Sequence, residues 1–477
     1  MDDLALRSPY RAELSMTTSM LVLSLATVLA LIPFLDKPFH IDDPLFAWAA
    51  QQIQLHPTDF FGFKVNWYGS ITPMHTVTQN PPLACYYLAA AASLFGWNER
   101  WLHAAFLLPA VGTVLGTWVL ARKLCRQPIL TGLAVVCSPV FLVSSTNVMC
   151  DVLMTCFWMW SIILWRDGLD KHSWWRMAAG AVLAGLAALT KYYGICLIPL
   201  LALLLIARQS KGWLFLGYGL IPAVLLAAYQ VWSIKTQGQG HHPLTLLKYY
   251  GFFFAPLIIL FSVVRRQTIW LHLFWLAIPI AFMIGYELWT DSLYGHGLVT
   301  GATQYAREHY VARWQRGSLV KVVATLAFTG GCLISLPFLI PRLLRNRQTL
   351  LILMLALGMT IGLACVMHHF SPLYLKPKGI RPTTWDIAVQ ASLLTILGLA
   401  VACLGIVDVL TTGWRCYVQE RLARLPKVFL SDKELQPAAI SSREPGESSR
   451  VLMADSLLLA SWLFGTMLFA GYVNWSV

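Results

Sequence analysis

Residues 40–82 read HIDDPLFAWAAQQIQLHPTDFFGFKVNWYGSITPMHTVTQNPP, and this stretch decides how the chain is laid out. It follows the first long apolar run, residues 16–35. Two adjacent carboxylates, Asp42 and Asp43, stand just past what would be a membrane exit. An amphipathic run comes next, and Pro81-Pro82 stops it. Ionisable groups at a helix mouth in a membrane protein are functional candidates by default. The stretch is therefore read as the floor of a site, with apolar helices as its scaffold. An Asp before Pro44 is also a helix-start signal. One carboxylate can cap PLFAWAAQQIQL while the other faces a cavity.

Composition sets the class. Of 477 residues 57% are hydrophobic and only 12% charged, with 20 Trp. A soluble chain of this length needs far more charge to cover its surface. Repeated apolar runs bounded by basic clusters predict an all-α, polytopic integral membrane protein. The runs are continuous and not alternating, which excludes a β-barrel. The formal charge of +13 reads as topology plus outer-face cations, not as a nucleic-acid surface. The ten cysteines are scattered without a paired framework, so neither disulfide nor zinc is argued from them. Residues 16–35 are too long for a signal-peptide core and lack a small-residue cleavage site before Asp36, so they read as a retained anchor.

Basic clusters then assign sides. Arg122-Lys123, Arg166 with Lys171 and Arg176, Arg208, Arg265-Arg266, Arg342 to Arg347 and the stretch from Arg415 all fall on the cytoplasmic side of about 13 spans. The spans are 16–35, 101–120, 128–145, 150–165, 177–190, 193–207, 213–233, 252–264, 270–290, 319–341, 349–367, 386–412 and 453–473. Residues 83–96 are too short to cross and are read as an interfacial helix. The whole chain, 1–477, is one transmembrane domain with a juxtamembrane, helical first outer loop at 36–100 and a flexible cytoplasmic connector at 413–450. An internal repeat is also present. KYYG at 191 recurs at 248, and 17 of 50 aligned residues are identical without a gap. Residues 191–247 and 248–304 read as a tandem duplication of one helical hairpin, which preserves the orientation of everything downstream.

Three kinds of residue could carry chemistry. Asp42 and Asp43 come first, and Asp151, at the outer end of the fourth span, is the second acidic candidate. A carboxylate at a low-dielectric boundary can take a proton from an acceptor hydroxyl or amine, although Asp151 can equally be a helix-start carboxylate favoured by the dipole. Outer-face cations come third. Most of them would snorkel to headgroups. Lys191, in a turn between two apolar runs, is the exception, and a lipid phosphate would supply its counter-charge. Lys248 is its duplicate and could serve equally; Arg100 is a further outer cation. The histidines lack metal-ligand spacing, so no metal ligands are named. No cofactor is required by the sequence, and a divalent metal stays an open question at this stage.

Taken in order, HIDDP after the first span, QNPPLACYYLAAAASLFG, NERWLHAAFLLPAVGTVLGTWVLARKL, CDVLM and LTKYYG resemble the C-type (GT-C) membrane glycosyltransferases. The likeness is to the dolichyl-phosphate-mannose–protein mannosyltransferases and aminoarabinose transferases, over about the first 210 residues. It implies a GT-C fold, a polyprenyl-phosphate sugar donor, a lipid or protein acceptor, and catalysis on the outer face. A bacterial inner membrane with the site toward the periplasm is implied, with an endoplasmic reticulum as the fallback. By position the resemblance makes Asp42 the catalytic carboxylate, Asp151 the acid near the acceptor and Lys191 a residue near the donor phosphate. The chain departs from the pattern where Asp43 replaces the family's Glu and where the hairpin is doubled. Relatives also continue with further membrane segments beyond GYVNWSV. A transporter or flippase of a lipid-linked sugar is the competing reading, and an inactive relative is a third. The ionisable residues cluster at the outer mouth and not at the midplane, which favours the enzyme.

Overall fold

The structure, a computed structural model, describes residues 15–78, 80–125, 127–209, 274–306, 318–334, 347–369, 384–423 and 445–472. The first span, α1 (Met16–Leu31), opens at Ser15, whose hydroxyl accepts from the Thr18 backbone at 3.1 Å. A 3-10 turn, Ile32–Phe34, closes it. Pro44 then starts α2 (Asp43–Leu55), since its missing N–H would have been unpaired in a first turn anyway. Phe46, Ala47, Ala49, Ala50 and Ile53 give α2 one buried face at helical spacing. That face lies on α4 (Leu83–Phe95), whose alanines let the two backbones approach. Gln54 fastens the pair by donating to the Ala89 carbonyl and to the Ser93 hydroxyl, each at 3.0 Å.

The first loop is not purely helical. Between α2 and α4 runs an antiparallel ribbon, β1 (Lys64–Asn66) and β2 (Ile71–Pro73), with Val65 opposite Thr72. A one-turn helix, α3 (Met74–Val77), follows it. Gly69 turns the ribbon at φ +83°, a conformation that favours glycine. The expectation of a purely helical first loop is corrected here, while the fold as a whole stays mostly helical. The Tyr68-Gly69-Ser70 turn, flanked by β-branched residues, outweighs the helical period at this point.

The helices that follow are α5 (Glu99–Leu124), α6 (Pro128–Val136), α7 (Pro139–Ser145), α8 (Asp151–Asp170), α9 (Trp174–Thr190) and α10 (Leu197–Gln209). Among the described residues, Met16–Phe34, Glu99–Leu124 and Trp385–Val418 are long and apolar enough to cross a bilayer. A fourth crossing results if α6 and α7, bent by 59° where Pro139 removes a backbone donor, count as one. The chain is an integral membrane protein, and the described residues by themselves do not confirm the count of about 13 spans. Several expected spans are short apolar helices, such as Trp174–Thr190 and Tyr192–Arg208, and 213–233 and 252–264 lie outside the described residues. Most of the duplicated hairpin, Lys248 included, lies outside them too.

α8 sets the two ends of the molecule apart. Its 20 residues rise about 30 Å, the thickness of a hydrocarbon core. At its far end Arg166 grips Asp455, Nε to Oδ1 at 3.1 Å and Nη2 to Oδ2 at 2.7 Å. Arg208 donates to Asp455 at 2.7 Å and also pairs with Asp170, and Lys123 pairs with Asp167. Asp455 belongs to the C-terminal helix Pro445–Tyr472, which this cluster ties to α8 and α10. Arg166 and Arg208, read from sequence as side-setting charges, are in fact buried ion-pair partners.

At the near end the first loop docks on the helix Ala277–Tyr294. The Tyr294 hydroxyl donates to Asp59 Oδ1 and accepts from the Phe61 backbone, both at 3.0 Å. The His75 ring stacks on Tyr294 at 4.7 Å and lies 5.1 Å from His296. Burial lowers the His75 pKa below its ordinary value; the charge of His296 lowers it further and that of Asp59 opposes both. A histidine held neutral stabilises above its ordinary pKa, near 6.5, and that contribution is lost as pH falls below it. The thermal midpoint of the solubilised protein should therefore fall more steeply between pH 7.5 and 5.5 for the native chain than for His75→Phe (roughly the window of the imidazole). Parallel curves would remove His75 from that dependence.

Candidate active site

The connection between α1 and α2 is held from three sides. Lys37 Nζ donates to Asn147 Oδ1 at 2.5 Å and to the Thr146 carbonyl at 3.5 Å. Asp43, fully buried, accepts from the His40 N–H at 2.7 Å through Oδ2 and from the Val148 N–H at 3.1 Å through Oδ1. His103 of α5 contacts the Leu35 carbonyl through Nδ1 at 3.3 Å. Two of these fastenings reach the turn between α7 and α8, which leads directly into Asp151.

The adjacent acids therefore divide their roles. Asp43 is committed to two backbone donors, and burial raises its carboxyl pKa above the usual range. Those two bonds and the charges of His103 and His40 oppose the shift only in part. Asp42 is half-buried, caps α2 through its backbone alone, and its carboxylate has no hydrogen bond or ion pair among the described residues.

Asp43→Asn would put an amide N–H₂ against one of the two backbone donors. We expect this to cost about 1–3 kcal/mol, the penalty of leaving a buried donor unpaired. The sign with pH follows from the raised pKa. The proton-bound form stabilises fully below about pH 3.8, and the contribution is lost as pH rises through the folded value. The native advantage over Asp43→Asn should accordingly widen as the pH of the melt is lowered. An Asn variant as stable as the native chain throughout would contradict the assignment.

Asp151, the first residue of α8, accepts from Lys191 Nζ at 2.6 Å. The Lys191 turn is made possible by Gly194, where an added Cβ would lie 2.3 Å from the Ala187 carbonyl carbon. This supplies the physical reason for the Lys-Tyr-Tyr-Gly sequence. Burial alone would lower the Lys191 pKa, but Cys150, Asp151 and the hydrogen bond outweigh it, so the ammonium sits above its ordinary value. Only Met149 and Cys150 separate Val148 from Asp151, at most about 10 Å of backbone. Asp43, Asp151, Lys37 and Lys191 thus gather around one turn.

The phosphate expected to balance Lys191 meets a carboxylate already in place. Lys37, by contrast, touches only neutral oxygens and has no carboxylate partner among the described residues. Arg100 faces Asp36 at 3.7 Å with both side chains mostly exposed, the weak kind of surface pair. Lys248 lies outside the described residues. Among the described residues no three His, Cys, Asp or Glu groups are placed to hold a metal ion. An apolar cavity of about 400 Å³ begins one turn beyond Lys191, lined by Ile195, Ile198, Ile280, Met283, Ile284 and Leu288. Glu287 lines it too, while capping the next helix through the Val299 N–H at 2.8 Å.

Sequence reasoning missed Lys37 and His103. Lys37 stands just past a span, where a lysine ordinarily snorkels. His103 shares a helical face with Phe106 and Ala110, both fully buried, and a polar residue on such a face was the available signal.

Residues 79–232 match the family described as dolichyl-phosphate-mannose-protein mannosyltransferase. The match takes in Arg100, Asp151 and Lys191 and leaves Asp42 and Asp43 outside it. No curated protein sequence matches the chain. Among solved structures, ArnT from Cupriavidus metallidurans bound to undecaprenyl phosphate is 13% identical with a TM-score of 0.36, covering 96% of this chain and 78% of that one. The same protein in the apo state gives 14%, 0.40, and the same coverage. An apo oligosaccharyltransferase from Archaeoglobus fulgidus gives 14% and 0.35, covering 96% of this chain and 56% of that one.

Proposed function

We propose that this chain, similar in sequence to the dolichyl-phosphate-mannose–protein mannosyltransferases over residues 79–232, is a membrane glycosyltransferase. In this reading it moves a sugar from a polyprenyl-phosphate donor to a lipid or protein acceptor. The observation that carries it is the gathering of Asp42, Asp43, Asp151, Lys37 and Lys191 at one end of α8. A sugar bonded to phosphate already has a fair leaving group. The protein must stabilise the charge that builds on the phosphate and must deprotonate the attacking group.

Asp42, with a carboxylate free of partners among the described residues, is the base. Lys37 and Lys191 attract the phosphate, and Asp151 holds Lys191 in place and lies near the acceptor. The apolar cavity beyond Lys191 suits the first isoprene units of the donor tail. The site then faces the non-cytoplasmic side, opposite the Arg166–Asp455 cluster. The test is transfer of radiolabel from a series of polyprenyl-phosphate sugars to envelope lipids and proteins in vesicles containing the purified chain. Label that moves to a new acceptor supports the reading. Label that crosses the vesicle membrane on an unaltered donor would make the chain a transporter instead.

A further inference from the structure

We propose that His103 is a positioning residue for Asp42, an inference that rests on the reading above in which Asp42 is the base. The side chain is 3% exposed. A carbonyl only accepts, so the contact with Leu35 at 3.3 Å places the imidazole hydrogen on Nδ1. The ring also meets Phe39 edge-on at 5.8 Å. Nε2 is buried and has no partner among the described residues. The charged groups around the ring are Asp43 from α2, Lys37 from the connection and Glu99 from the first turn of α5.

A buried, unpaired ring nitrogen costs free energy that an apolar ring of the same size would not. What a histidine adds here is the Leu35 bond. Leu35 closes the 3-10 turn at the exit of α1, where a terminal carbonyl otherwise lacks an intrahelical partner. Lys37 and Asp43 tie the connection to the turn before α8, whereas His103 ties its beginning to α5. Asp42, whose own side chain has no partner among the described residues, is set in place by these two attachments together. Displacement of a reacting group by about 1 Å can cost about 10²-fold in rate.

The test compares three variants of the full solubilised chain. His103→Asn places an amide nitrogen over the Nδ1 position and keeps the Leu35 bond. His103→Gln reaches the Nε2 position instead, and His103→Ala keeps neither. In an Asp42→Cys background, alkylation by a small maleimide should be about 10-fold faster with Ala or Gln than in the parent, and within about threefold of it with Asn. Equal labelling in all three overturns the proposal. With a labelled polyprenyl-phosphate sugar as probe, and Asp42 intact, Ala should lower kcat about 10–100-fold while the donor KM stays within about threefold, and Asn should restore kcat. A raised KM at unchanged kcat, or no rescue by Asn, also overturns it. If the Ala variant is not recovered folded, Gln against Asn carries the same decision. A native chain that transfers no sugar would sink the functional reading alone, and the labelling would still decide the role of His103.

Discussion

Asp42→Asn should lower sugar transfer about 10²–10⁴-fold at saturating donor, the range for loss of a general base. The same substitution should leave the thermal midpoint unchanged to within about 0.5 kcal/mol of stability. Both expectations come from one observation. Asp42 is half-buried and its carboxylate has no partner among the described residues, so the fold gains little from it. Its neighbour provides the contrast. Asp43→Asn should disturb stability, because its two oxygens bind the backbone of His40 and Val148. Transfer assays and melts on the two variants, made in parallel, separate the roles. If Asp42→Asn transfers sugar at the native rate, Asp42 is not the base. If it unfolds, the carboxylate has a structural task that the free geometry does not account for.

Asp455→Ala should be the most destabilising of the substitutions considered, by about 3–5 kcal/mol. Asp455 accepts from both Arg166 and Arg208, and all three side chains are under 10% exposed. With the partly buried Asp170 they form a quartet of two positive and two negative charges. Removing one carboxylate leaves two guanidinium groups sharing a single partner in a low-dielectric setting. The arginines tie α8 and α10 to the C-terminal helix, so that helix should loosen first. A melt of the solubilised variant, with protease digestion tracking release of residues 445–472, measures this. Lys123→Ala offers the comparison. Its pair with Asp167 is about a quarter exposed, and its loss should cost no more than about 1 kcal/mol by the weaker rule for accessible pairs. A loss below that size for Asp455→Ala would mean that water reaches the quartet and screens it.

Several features were legible before any coordinates. Apolar runs broken by basic residues identified the membrane class, because the transfer free energy of a segment depends on its own composition. Pro44 after two acids marked the start of α2. The shortness of LACYYLAAAASLFG marked a separate helix, α4. Asp151 and Lys191 were each singled out on sequence grounds, from the start of an apolar run and from a charged turn. The same local reasoning failed at the first-loop ribbon, where turn chemistry prevailed over helical period, and it did not foresee the bend at Pro139 between α6 and α7.

By itself, then, the sequence determined the membrane class, the chemical types gathered at the mouth and the element that each belongs to. Only the tertiary structure decided which of two adjacent acids is fastened and which has no partner among the described residues. It alone also showed that Asp151 pairs with Lys191, that Lys37 meets no carboxylate among the described residues, and that Arg166 and Arg208 are buried ion-pair partners. The physical reason is range. Hydropathy and capping act over a few neighbouring residues, whereas the bonds from Asp43 to Val148, from Lys191 to Asp151 and from Arg166 to Asp455 join positions 105, 40 and 289 residues apart. Such partners meet only where helices pack, and packing is a property of the assembled chain.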